Sequence, residues 1–147
     1  MHTGFKMAAL AGIAVLAACA PTPKRKALVV GESTCAPVSF DVYFLESQAR
    51  LTDAATTALD AAAAQVRNCN VRSVKIVGLA DNVGAAEANL TLSQRRARAA
   101  AMALVSRGLP APAFDVTAAG DAGAVTAEGL DEPLRRRASV VIDAHPR

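Results

Sequence analysis

Apolar and polar residues alternate along this chain with periods that predict four strands and two helices. In the first strand, over 38–44, every second residue is apolar, which is typical of a strand with one face on a core; these residues are Val38, Phe40, Val42 and Phe44. Further apolar runs predict strands over 71–79, 114–118 and 138–142, and a glycine-rich loop over 120–133 separates the last two.

The helices are predicted between these strands. The first would begin after Thr52, a good N-cap residue, with Asp53 favourable to the helix dipole. Its buried stripe would consist of Ala55, Leu59, Ala62, Ala63 and Val66. The second is predicted over about 93–107, with Ser93 as N-cap and Gly108 ending it in a left-handed conformation. This order of elements indicates an α/β sandwich with helices on one face of a small sheet.

The N-terminal segment has the features of an export signal. Lys6 precedes an apolar stretch of about a dozen residues, too short to span a bilayer comfortably, that ends in Leu-Ala-Ala-Cys. That ending resembles a bacterial lipobox, which implies a lipoprotein signal peptide over 1–18 and a lipid such as palmitate on Cys19. Ordinary secretion, with cleavage after one of the small residues, is the alternative.

Residues 19–37 are predicted to be the lipidated cysteine and a flexible tether, because this stretch contains Pro21, Pro23 and a basic run but little apolar periodicity. Residues 28–30 interrupt its polar character, and either packing on the domain or edge-strand pairing would account for them. Ala20, at the second mature position, resembles that of lipoproteins sent to the outer membrane. The remaining residues, 38–147, are enough for one domain.

Two further cysteines, Cys35 and Cys69, remain for a protein exported to a compartment that can be oxidising. Cys35 precedes the first strand and Cys69 follows the first helix, and in a strand-helix-strand unit those ends lie at the same edge of the sheet. We expect a disulfide between them, with two buried free thiols as the alternative. The only histidine after the signal, His145, and the lack of close cysteine pairs argue against a zinc site, and no cofactor is expected.

The basic residues of the chain are concentrated in short clusters. The formal net charge is +3, and the bases cluster at 24–26, 95–98 and 135–137. Such clusters attract phosphates or anionic lipid head groups. The chain has one Tyr and no Trp, so few aromatic side chains are available to stack on bases. Together with export, this argues against nucleic acid as a partner.

The segment 74–97, reading VKIVGLADNVGAAEANLTLSQRRA, has a strand, a turn and a helical pattern. It resembles the core motif of the OmpA-like peptidoglycan-binding domain: a strand ending in Gly-His-Thr-Asp, a Gly three residues on, then Asn and Leu-Ser-x-x-Arg-Ala. The matching residues are Gly78, Asp81, Gly84, Asn89, Leu92, Ser93, Arg96 and Ala97. Leu79 and Ala80 replace the family's His and Thr, so part of the polar lining beside Asp81 is missing. The resemblance covers 38–142 and implies a two-layer α/β sandwich with a mixed sheet.

The resemblance also implies roles for single residues. Asp81 would bind the ammonium of diaminopimelate and Arg96 its carboxylate, through two parallel hydrogen bonds. The alternative is that they pair with each other or with neighbours on a solvated surface. Asn89 would bond turn backbone in preference to the ligand. Arg136, in a segment that resembles the family's Asn-Arg-Arg-Val, would be a second ligand contact, and a solvated basic strand end is the alternative.

The expected function is therefore that of a non-enzymatic outer-membrane lipoprotein that faces the periplasm and binds peptidoglycan without a covalent bond. A second hypothesis is an envelope adaptor with a degenerate pocket that docks a protein partner, as in a secretion or trans-envelope complex. A wall hydrolase is disfavoured, because the sequence offers no credible nucleophile, acidic dyad or metal site.

Overall fold

Four strands and two helices form in the order that the sequence predicts. The elements are β1 Val38–Tyr43, α1 Asp53–Val66, β2 Asn70–Gly78, α2 Ala86–Ser106, β3 Phe114–Ala118 and β4 Arg137–His145. This computed structural model describes residues 35–147. The predicted signal peptide, Cys19 and the segment 28–30 lie outside the described residues.

The strands form one mixed sheet in the order β1-β4-β2-β3. β4 runs antiparallel to both of its neighbours, and β2 and β3 are parallel. Gly78, at the end of β2, is in register with Ala138 on one side and with Ala118 on the other. The C-terminal end of β2 therefore lies in the middle of the sheet, with the start of β4 beside it. The predicted fold class, an α/β sandwich with a mixed sheet, is confirmed.

The core lies between the helices and one face of the sheet. Alternate strand residues point into it, and Val42, Val74, Ile76, Val140 and Ile142 are fully buried. The buried stripe of α1 consists of the five residues predicted. On the other side, which we call the open face, Tyr43, Val77 and Val141 are exposed. Few aromatic residues are needed because alanines on both helices allow close packing against the sheet.

At Gly78, β2 and α2 are in close backbone contact. A Cβ placed on Gly78 would stand 1.9 Å from the Ser93 carbonyl oxygen of α2. Only a residue without a side chain fits there. The contact fixes the height of α2 above the end of β2, which is the end that precedes Asp81.

The start of α2 differs from the prediction. The helix begins at Ala86, after Ala85, whose side chain makes no capping bond. Ser93 is not the N-cap but a buried residue inside the helix: its Oγ donates to the Leu90 carbonyl at 2.8 Å and accepts from the Gly120 amide at 3.0 Å. Good helix formers, Ala, Glu and Leu, occupy five of the seven positions over 86–92, and Glu87 lies in the first turn, so both features favour the earlier start.

Other local signals are confirmed. Thr52 caps α1, since its Oγ1 accepts a hydrogen bond from the Ala55 amide at 3.1 Å. Gly108 follows α2 with φ +94°. β4 runs further than predicted, to His145, where it pairs with Asn70 at the start of β2.

A disulfide joins Cys35 to Cys69, with Cα atoms 5.5 Å apart. It connects the residues just ahead of β1 to the turn between α1 and β2. This end of β2 is opposite to the end that carries Asp81. The alternative of two free thiols is not what the structure contains.

Candidate functional site

Asp81 lies just beyond the C-terminal end of β2 and is only 6% exposed. The backbone that leads to it is fixed on both sides. The Leu79 amide donates to the Arg137 carbonyl at 2.9 Å, and the Ala80 amide donates to the Gly120 carbonyl at 2.8 Å. Leu79 and Ala80 are themselves buried. The residues that replace the family's His and Thr are therefore buried apolar side chains next to Asp81 in the chain.

Arg96, in the third turn of α2, is fully buried. Its Nε donates to the Gln48 carbonyl at 2.9 Å, its Nη1 to the Leu79 carbonyl at 2.9 Å, and its Nη2 to the Leu45 carbonyl at 3.2 Å. Its Cζ lies 5.5 Å from the centre of the Phe44 ring. The guanidinium thus ties the loop between β1 and α1, residues 44–52, to the end of β2.

Electrostatics at Arg96 reflect this burial. Loss of solvent lowers the pKa of Arg96, the Asp81 carboxylate opposes that shift, and the charge of Arg136 adds to it. Arginine is effectively always protonated in proteins, so the guanidinium stays charged. A fixed positive charge therefore lies near Asp81.

Arg136, immediately before β4, forms an ion pair with Asp81. Its Nη1 is 3.4 Å from Asp81 Oδ2 and 3.8 Å from Glu46 Oε2. The exposed fractions of the side chains rise outward, from 8% for Asp81 to 31% for Arg136 and 65% for Glu46. One guanidinium nitrogen thus stands between an inner and an outer carboxylate.

Asn89 has a different partner from the one predicted. Its Nδ2 donates to Asp121 Oδ2 at 3.1 Å, which is a side chain and not turn backbone. The residue is buried, at 3% exposure. The reason is that α2 begins early, so Asn89 lies inside the helix, facing the loop between β3 and β4. Asn82 also bonds this loop, through Asp131 Oδ1 at 2.7 Å.

Three of the four predicted ligand-binding residues, Asp81, Arg96 and Arg136, come together at one end of the sheet, and Asn89 braces the neighbouring loop. Within residues 35–147, Asp81 pairs with Arg136 and not with Arg96. Arg95 and Arg98, on the same helix, are exposed.

Neither Glu46 nor the role of Asp121 was predicted from the sequence. Glu46 lies in a turn, where no periodicity marks a side chain, and its importance comes from its distance to Arg136. A signal for Asp121 was available, because Gly120-Asp121 resembles the Gly-Glu that follows the third strand in the family.

Other features lie away from this site. An open groove of about 730 Å³ is found at the opposite end of β2, where Arg67, Arg107 and Arg147 are among its lining residues. We give the Asp81 end more weight, because Arg67 and Arg107 stand at helix C-termini, where a cation is favourable without any ligand.

Over residues 35–147 there is no cluster of three or more potential metal ligands. That part of the chain also lacks a helix with the length and hydropathy to cross a bilayer.

The chain is similar in sequence to proteins of one known family. The model of the OmpA family matches residues 43–139. Outer membrane protein A of Yersinia pseudotuberculosis is 34% identical over 124 residues, covering 83% of this chain and 34% of the relative. Outer membrane protein P5 of Haemophilus influenzae is 31% identical over 107 residues, covering 73% of this chain and 30% of the relative. The chain thus spans about a third of the length of these curated relatives.

Solved structures share the fold. The peptidoglycan-associated lipoprotein from Burkholderia pseudomallei has a TM-score of 0.60 at 28% identity, covering 69% of this chain and 88% of that chain. The OmpA-like domain of FopA1 from Francisella tularensis has a TM-score of 0.62 at 21% identity, with 74% and 76% covered, and shows the fold alone.

Proposed function

The chain belongs to the OmpA family, and on that premise we propose that it binds peptidoglycan without a covalent bond and holds the cell wall to a membrane. The observation that carries this proposal is the buried carboxylate of Asp81, at the family's position. The charge of Arg96 acts on it, and Arg136 forms an ion pair with it. The name of the Burkholderia relative, a peptidoglycan-associated lipoprotein, supports the same class of ligand.

The proposed ligand is the diaminopimelate of stem peptides, a zwitterion that needs an anion and a cation a few ångströms apart. Asp81 would take its ammonium, and the arginines would take its carboxylate. A guanidinium has five N–H donors, and Arg96 uses three of them on backbone carbonyls. Arg96 would therefore contribute its two remaining donors and its charge to binding the ligand carboxylate. Arg136 would make the more accessible contact with that carboxylate.

Co-sedimentation of the full chain, kept in detergent, with purified diaminopimelate-type peptidoglycan tests this proposal. We expect binding by the parent and its loss in Asp81→Asn, which removes the charge but keeps the shape. Asp115→Asn, on the exposed edge strand β3, is the matched control and should bind like the parent. A folded parent that stays in the supernatant would refute the proposal.

The predictions for the N-terminal segment belong to the same proposal. Residues 1–18 would be removed, a lipid on Cys19 would anchor the protein in the outer membrane, and the OmpA-like domain, 38–147, would face the periplasm on the tether 19–37. Two or more acyl chains anchor stably, since each buried methylene contributes about 0.8 kcal/mol. Mass spectrometry of the mature N-terminus and fractionation of Cys19→Ser test this; an unlipidated, membrane-free parent would contradict it.

The second candidate is an adaptor that docks another envelope protein. Burial of the apolar Leu79 and Ala80 beside Asp81 favours it, because the site is less polar than in the family pattern. Absence of wall binding by a folded parent would support the adaptor. We propose that the protein is not an enzyme. Release of soluble fragments from purified cell wall by the protein would contradict this proposal.

A further inference from the structure

We propose that Arg136 is a displaceable cover over Asp81 and that its displacement makes the site select ligands with both an ammonium and a carboxylate. This inference rests on the proposed function of the same site. Its basis is the position of Arg136 Nη1, 3.4 Å from Asp81 and 3.8 Å from Glu46. The atom that neutralises Asp81 is thus already near a second carboxylate.

The cover follows from the burial of Asp81. A carboxylate with an 8% exposed side chain requires a cation or several hydrogen bonds, because its loss of solvent is costly. Within residues 35–147 of the free protein, Arg136 is the cation in direct contact with it. A ligand ammonium that takes this place must displace the guanidinium.

Glu46 is well placed to receive the displaced guanidinium. Arg96 holds the carbonyls of Leu45 and Gln48, which flank Glu46 in the chain, so the loop that carries Glu46 is fixed. The main chain of Arg136 is fixed too, since its carbonyl accepts a hydrogen bond from the Phe44 amide at 2.8 Å. Only the flexible side chain of Arg136 has to move.

Selectivity follows from the count of charges. A zwitterionic ligand supplies an ammonium to Asp81 and a carboxylate to the displaced Arg136. A ligand with the ammonium alone displaces Arg136 and offers it nothing. The site should therefore favour a stem peptide with a free diaminopimelate carboxylate over one in which that carboxylate is amidated.

The test compares these two stem peptides by calorimetric titration of the full chain in detergent. The parent should prefer the free carboxylate by about tenfold. Arg136→Gln should weaken the free form and strengthen the amidated form, so that the preference falls below about threefold. Arg137→Gln is the matched control, because Arg137 bonds Asp41 and Ser139 on the open face, and it should keep the preference of the parent.

The outcomes separate the two proposals. A parent that binds neither peptide nor cell wall would refute the proposed function and this inference with it. A parent that binds, with a preference unchanged in Arg136→Gln or with both peptides equally weakened, would overturn the cover alone. Glu46→Gln should weaken both peptides several-fold, and unchanged affinities would overturn its role as receiver.

Discussion

Replacement of Arg96 by methionine tests whether the buried guanidinium is a structural tie. The hydrogen bond from Arg96 to the Leu79 carbonyl is buried, and leaving that carbonyl unpaired should cost about 1–3 kcal/mol. The bonds to Leu45 and Gln48 are partly buried, and each should contribute about 1 kcal/mol. Methionine is long enough to keep packing against Phe44, so we expect a loss of about 3–5 kcal/mol in the free energy of unfolding.

Urea denaturation of the oxidised protein measures this loss, and amide exchange over 44–52 should rise with it. Arg95→Met, the exposed neighbour on the same helix, is the control and should change stability by less than about 0.5 kcal/mol. Equal stability of the two variants would refute the structural role. It would also mean that a binding defect in an Arg96 variant reports on the ligand and not on the loop.

Three other changes have defined expectations. Gly78→Ala would force its methyl group into the Ser93 carbonyl and should lower the free energy of unfolding by at least about 3 kcal/mol. Gly84→Ala, at φ +98° in open space, should lower it by only about 1–2 kcal/mol. Similar losses in thermal stability for the two variants would contradict the close contact at Gly78. Cys35→Ser opens a loop with a sequence separation of 34 and should lose up to about 4 kcal/mol, which reduction of the parent should reproduce in urea titrations. Asp60→Asn removes an ion pair whose acidic partner is 60% exposed, so a change above about 1 kcal/mol would contradict the screening expected there.

The sequence predicted the elements that depend on local signals. Thr52, Gly108 and the buried stripe of α1 follow from capping, backbone conformation and helical period, and all appear in the structure. The start of α2 did not follow, because Ser93 has the chemistry of a cap, but tertiary packing uses its hydroxyl to hold Gly120. A short-range pattern cannot show which of two competing bonds a hydroxyl will make.

The candidate site was predictable as far as the family motif extends, and no further. The motif supplies Asp81 and Arg96, but the partners of Arg96 are carbonyls of a loop about fifty residues away, which no pattern encodes. The arginine run is a second example. Arg135 bonds the Ala122 carbonyl, Arg136 bonds Asp81, and Arg137 lies on the open face, so three adjacent identical residues have separate roles.

The disulfide has a mechanical consequence. A chain held ahead of Cys35 and by a ligand at Asp81 would be pulled at opposite ends of β2, about 30 Å apart. Because Cys35 is crosslinked to Cys69, the tension would enter at the start of β2 and could not peel β1 from the sheet edge first. The hydrogen bonds of β2 to β3 and β4 lie across the strand, so they would be loaded together in shear and not broken one by one. Reduction of the disulfide would therefore change the direction in which the domain resists force.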